Sequence, residues 1–379
     1  MDVGLILTVI WPYLVVLYLL DCFLFVRSGQ LLFTRTASSG FRVRGPGLRL
    51  AGMLPWDWSV LTVTEPLILS KAGIYARVDF NPDPFRPPGP DDFDFIPWEE
   101  VGSVRTDGKR VLVKGRPVFQ ASTRIEATVI CRRILKLRGL LPEEKGKAIS
   151  EDLAIASDID SIPETMEAVK RSASLLTKVS AALFFWTLFL IPVSLLLRLP
   201  PLILWMEVLG FIVCWFTIVV LWWRAHLALF PEAGGDRLEE MFVFLFFPVS
   251  ALHALGKLTR RVFAVYDSTA LITALAPSFV RENLEREHIR AAAAASSGGK
   301  EDFTAIWKMR VQSLEELAGK AKVNLTGAEL TPVTPGSEGV ACPLCGSQYR
   351  KGFKECADCQ VPLRAARALL ESKDEGEHP

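Results

Sequence analysis

Residues 179–223 read VSAALFFWTLFLIPVSLLLRLPPLILWMEVLGFIVCWFTIVVLWW, and this stretch decides the class of fold. Two apolar runs, 179–197 and 202–223, are separated only by Arg198, Leu199, Pro200 and Pro201. At 19 and 22 residues the two runs match the ~20 that an α-helix needs to cross a hydrocarbon core. Two prolines lack amide donors and fix φ, so they stop one helix and start the next. The reading is a transmembrane helical hairpin whose turn leaves no room for a folded element.

Toward the N-terminus a third apolar run, 3–26, holds one charged residue, Asp21, and is long enough to span with some tilt. A cleaved signal peptide would place basic residues ahead of the run and a small-residue cleavage site behind it. Only Met1 and Asp2 precede this one, so it reads as an uncleaved anchor. The Leu19-Leu20-Asp21-Cys22 run faintly resembles a lipoprotein cleavage box, but Asp21 stands where a small residue is needed. Arg27, Arg35, Arg42, Arg44 and Arg49 come next with no acid before Asp57, which marks that side as cytoplasmic. The N-terminus then lies outside, the hairpin goes out and returns, and both large soluble parts face the cytoplasm of a multi-pass protein of the cell (inner) membrane.

Beyond the hairpin, 241–255 is apolar but gives only about 22 Å of helix. Pro248 interrupts it, and Lys257, Arg260 and Arg261 lie just beyond it. Residues 239–290 therefore read as interfacial or re-entrant helices, with a fourth span and a soluble core helix as the competing readings. Charge is balanced over the whole chain, at 43 basic against 42 acidic residues in 379, so nucleic acid is not an expected partner.

Residues 42–142 form a β-rich block: strand, turn at Gly73, strand, then a Pro- and Asp-rich stretch, then a hairpin at Asp107-Gly108 and a closing helix with a basic face. Within it, 67–140 carries Ile96-Pro97-Trp98-Glu99-Glu100-Val101 and resembles the bacterial pleckstrin-homology-like domains found beside transmembrane helices. That resemblance implies a curved, partly open antiparallel barrel closed by the helix, serving binding or assembly. Residues 150–178 read as a linker that becomes helical, and 291–340 as a second linker interrupted by a helix at 303–322.

The strongest local signal is Cys342-x2-Cys345, ten intervening residues, then Cys356-x2-Cys359. Two turns of this spacing each aim two thiolates at one ion, and together they complete a tetrahedron. The run CPLCGSQYRKGFKECADCQVPL resembles a short zinc ribbon found at the ends of many bacterial proteins, which sets a domain at 341–364. So small a unit folds on its metal, and four protein ligands leave no open site, so the zinc is expected to be structural. Two disulfides, a redox pair or iron are the alternatives, and reducing cytoplasm disfavours the first two. Asp79–Asp83 mimics the start of a calcium loop but has Pro84 where glycine is required.

Asp21 and Glu207 are ionisable groups inside apolar runs, a pattern that raises a functional question by default. Their depths differ, and Arg198 stands within reach of Glu207, so local pairing is the expectation. Four histidines are scattered, and the sequence holds no nucleophile elbow, phosphate loop or HExxH motif. The fold class is thus a multi-domain membrane protein: transmembrane α-helices, a small β-rich pleckstrin-homology-like domain and a C-terminal zinc ribbon. The expected role is a membrane-anchored scaffold or regulator without catalysis, whose partners are the lipid bilayer and proteins of unknown identity. A component of a transport or lipid-handling system is the alternative, and a membrane enzyme with an unrecognised site is a third.

Overall fold

The computed structural model describes residues 3–27, 30–35, 41–63, 67–78, 88–121, 124–230, 234–296, 301–325, 332–333, 339–342, 348–350, 352–357, 361–365 and 367–368. The chain divides into two compact units, one of residues 1–63 and 160–265, the other of 64–159 and 266–379. Among the described residues three helical segments are long and apolar enough to cross a membrane: Gly4–Asp21, Ser161–Leu196 and Pro201–Leu229.

In the first unit, α1 covers Val3–Asp21 and stops five residues short of the predicted end. Its 19 residues still give about 28 Å, close to a hydrocarbon core. The next element is a strand, β1 (Phe23–Val26), because aromatic and β-branched residues there pair with β4 (Gly47–Leu50) instead of extending the helix. Between them, β2 (Gln30–Arg35) lies in a three-stranded antiparallel sheet with β3 (Arg42–Arg44) and β5 (Trp58–Val63). Val26, Leu32, Ala51 and Leu61 form the core beneath these strands. The predicted boundary at residue 42 is thereby corrected: 42–63 belongs with the strands after α1, held by pairings that pattern alone does not reveal.

The second unit begins with β6 (Ile68–Leu69), β7 (Gly73–Arg77) and β8 (Phe93–Pro97), which form one antiparallel sheet. A second sheet holds β9 (Val104–Asp107), β10 (Arg110–Val113) and β11 (Arg116–Gln120), after which come α2 (Arg124–Arg138) and α3 (Pro142–Ala156). Gly73 is required where β7 meets β8, since a Cβ there would lie 2.3 Å from the Ile96 carbonyl oxygen. Trp98 is buried, its indole nitrogen donates to the Ser70 carbonyl at 3.0 Å, and the Lys145 ammonium sits 5.3 Å from its ring centre.

Back in the first unit, α4 (Ser161–Phe185) begins within 150–178, the stretch read as a linker that becomes helical. Ile162, Met166, Val169, Ala173, Leu176, Ser180 and Leu183 are all buried, a repeat of three and four that makes one packed stripe. The helix runs on through a π-helical turn at Trp186–Leu190 into α5 (Ile191–Leu196), where Pro192 removes an amide from the ladder. After the turn at Arg198, whose φ is +50°, α6 (Pro201–Leu229) starts on its proline. A Cβ on Gly210 of α6 would lie 2.4 Å from the Trp186 ring, so this glycine leaves room for the indole against the helix.

The fourth apolar run breaks. α7 (Gly234–Phe246) ends before Pro248, a single turn α8 (Pro248–Ala251) comes next, and α9 (Ala254–Val262) packs on β5 through a 2.9 Å bond from the Thr259 hydroxyl to the Ser59 carbonyl. No continuous helix of spanning length covers 241–255 among the described residues.

The second unit resumes with α10 (Ser268–Leu275), α11 (Val280–Ser296) and α12 (Glu301–Lys320). α11 extends through the alanines at 291–295, the start of the stretch read as a second linker, as expected of the residue with the highest helix propensity. Phe303 of α12 is fully buried, its ring centre 5.5 Å from that of Tyr75 and 5.7 Å from that of Phe93.

Candidate functional site

Around the C-terminal cysteines, the strand Gly339–Ala341 pairs with Gln348–Arg350, and the loop between them begins at Cys342. A second hairpin is closed by the Glu355–Pro362 bridge, by the Cys356 amide on the Val361 carbonyl at 2.9 Å, and by the Leu363 amide on the Lys354 carbonyl at 2.9 Å. Cys342 therefore follows the first strand of one hairpin, and Cys356 lies in the second. Cys342 and Cys356 are buried in one cluster with Val361, against Ile289, Ala293, Tyr349 and Leu363. The Tyr349 hydroxyl lies 3.2 Å from the Cys356 sulfur and accepts from the Ala357 amide at 3.0 Å.

Cys345 and Cys359 lie outside the described residues, as does 79–83, the calcium-loop mimic. Among the described residues no group of three or more His, Cys, Asp or Glu could hold a metal ion. The donor set still fits a metal: two thiols from different hairpins share one buried core, and each opens a Cys-x2-Cys loop.

At the end of α1 the structure assembles a polar cluster that spacing could not reveal. His253 stacks on Tyr18 with ring centres 5.0 Å apart. Its Nε2 lies 3.8 Å from an Asp21 carboxylate oxygen and 4.0 Å from the Cys22 sulfur. The Ser250 hydroxyl donates to the same carboxylate oxygen at 3.4 Å. Burial pushes the His253 pKa down to about 4, against the opposing pull of Asp21, so the ring is neutral at neutral pH. A relay from nucleophile to base to carboxylate needs the two partners on opposite ring nitrogens. Here sulfur and carboxylate approach the same one, so the cluster is not built as a catalytic triad.

Glu207 is 6% exposed and takes a hydrogen bond from the Ser194 hydroxyl, while its second oxygen has no hydrogen-bond partner among the described residues. Ser194 thus takes the place expected of Arg198, which is exposed. Arg261, nearly buried, lies 3.7 Å from Glu240 and stacks 4.9 Å from the Phe230 ring centre. No signal in the local sequence marks His253 or Arg261, because their partners lie elsewhere in the chain.

No family model, curated protein or solved structure matches the chain.

Proposed function

We propose that the chain is a membrane-anchored scaffold or regulatory protein that acts by binding an acidic partner protein, with a structural zinc ribbon at its C-terminal end. In this reading three spans leave the polar stretches before and after the hairpin on the cytoplasmic side of the cell membrane, and a pleckstrin-homology-like module occupies 67–140. The observation that carries this reading is the charge of one segment. Residues 105–138 hold ten basic residues against Asp107 and Glu126, in a chain whose total charge is +1. Arg105, Lys109, Arg110, Lys114 and Arg116 are exposed on β9–β11 and their turns. A single-sign surface of this density steers and holds a complementary one.

Two antiparallel sheets ahead of a helix over 68–138 support the module's likeness to a binding domain. Cys342 and Cys356 in one core support the metal, which would be held by Cys342, Cys345, Cys356 and Cys359 and would supply folding free energy there. The half-bonded carboxylate of Glu207 inside an apolar helix favours the second reading, a transport component.

Proteins recovered with the chain from detergent-solubilised membranes separate the two. Partners captured by the native chain should fall by about tenfold with the K109E/R110E/K114E variant at low salt and be unaffected by E207Q. Recovery that survives the triple reversal but is lost with E207Q would favour the transport reading.

A further inference from the structure

β1 and β4 form a two-stranded antiparallel ribbon in which Phe23 faces Leu50 and Phe25 faces Leu48. These four side chains share one face, because alternate residues of a strand point the same way. They are 48, 41, 66 and 64% exposed, respectively. The opposite face does the packing: Leu24 and Val26 meet the core of Leu32, Ala51 and Leu61, and Arg49 is tied to the carbonyls of Gly45 and Pro46 at 3.0 and 2.7 Å. A contiguous exposed patch of large apolar residues, backed by an ordered face, marks an interaction surface.

We infer that this ribbon is a membrane-interface anchor, with Phe23, Phe25, Leu48 and Leu50 set into the boundary between lipid headgroups and acyl chains. The inference rests on the reading of α1 as a membrane span, and continuity with α1 selects the occupant. Leu5, Val9, Tyr13, Val16 and Leu20 make an exposed stripe along α1, and Phe23 comes directly after the helix ends. Arg27, Arg42 and Arg44 are exposed beside the ribbon, where they meet anionic headgroups. Backbone chemistry fixes the depth. A two-stranded ribbon has open edges whose amides and carbonyls need water, so it is excluded from the hydrocarbon core but stable at the hydrated interface.

The test places a photo-reactive benzophenone amino acid at one site at a time in the full chain, reconstituted in lipid nanodiscs: at Val9 on α1, at Phe25 on the ribbon, and at Leu153 on exposed α3. After illumination, phospholipid adducts are read by mass spectrometry. The expected result is adduct formation at Val9 and at Phe25, each at least about tenfold above Leu153. Adducts at Val9 without adducts at Phe25 overturn the anchor and leave the span intact. Covalent dimers through Phe25 overturn it in favour of a second copy of the chain as occupant. Absence of adducts at Val9 overturns the membrane reading itself, and the anchor with it.

Discussion

Purified under reducing conditions, the chain is expected to carry one equivalent of zinc, and C342S should reduce this to nearly none. Some 22 residues of ribbon bury too little surface to fold alone, so the metal must supply most of the folding free energy. Structural zinc sites contribute about 10–16 kcal/mol in apparent terms at neutral pH, far more than any single contact in the unit. Chelation should therefore release the protection of the Cys356 and Leu363 amides that close the second hairpin. It should also expose Val361 and remove the cover that Tyr349 and Leu363 give the core. Less than half an equivalent of metal, or protection that survives chelation, would defeat the assignment.

The second large effect is expected at Asp267. It caps α10 by accepting from the Thr269 amide at 2.7 Å, and both its oxygens receive the Arg310 guanidinium, at 3.1 and 3.0 Å. The two side chains are 9% and 21% exposed. Burial alone would push the Asp267 carboxyl up, but Arg310 and the hydrogen bonds outweigh it and hold the carboxyl below its ordinary value. A depressed folded pKa means stability that is fully present above the unfolded value of about 3.9 and is lost as pH falls through the lower folded value. Asp267→Ala removes the cap and strands a guanidinium with little access to water, at a cost of about 3 kcal/mol. Hydrogen exchange of the α10 amides should then accelerate by about 150-fold at neutral pH. Asp267→Ala combined with Arg310→Met should recover most of that protection, since no charge is left unpaired. Equal exchange in Asp267→Ala and the native chain would show that the pair contributes nothing.

Legibility in the sequence tracks the range of the forces involved. The hairpin is local: its apolar runs and the Pro200-Pro201 turn lie side by side, and the structure places α5 and α6 on either side of them. The end of α1 was not legible, because a short apolar run such as 23–26 suits helix and strand equally until its partner is known. That partner, β4, is set by tertiary pairing. The same reason moved 42–63 out of the sheet module. At 161–178 the helix is expected from the sequence, but its buried stripe is diluted by charged residues on the outer face, so its packing is not legible there. His253 reaches Asp21 and Cys22 from the far side of the chain, and no spacing rule spans that distance. The Cys-x2-Cys spacing stands out in the sequence alone, and the structure buries Cys342 and Cys356 in one core.

The proposed role requires three spans that leave residues 27–178 and 224–379 on the cytoplasmic side. Topology reporters fused after Arg44, after Ser150 and at the C-terminus test this most directly, with a fourth inserted between Arg198 and Pro201. The account predicts that the first three read cytoplasmic and the fourth external, since positive charge lies just beyond α1 and the two prolines return the chain. A C-terminal reporter that reads external would contradict it. The chain would then cross a fourth time, and the four cysteines would sit where disulfides form.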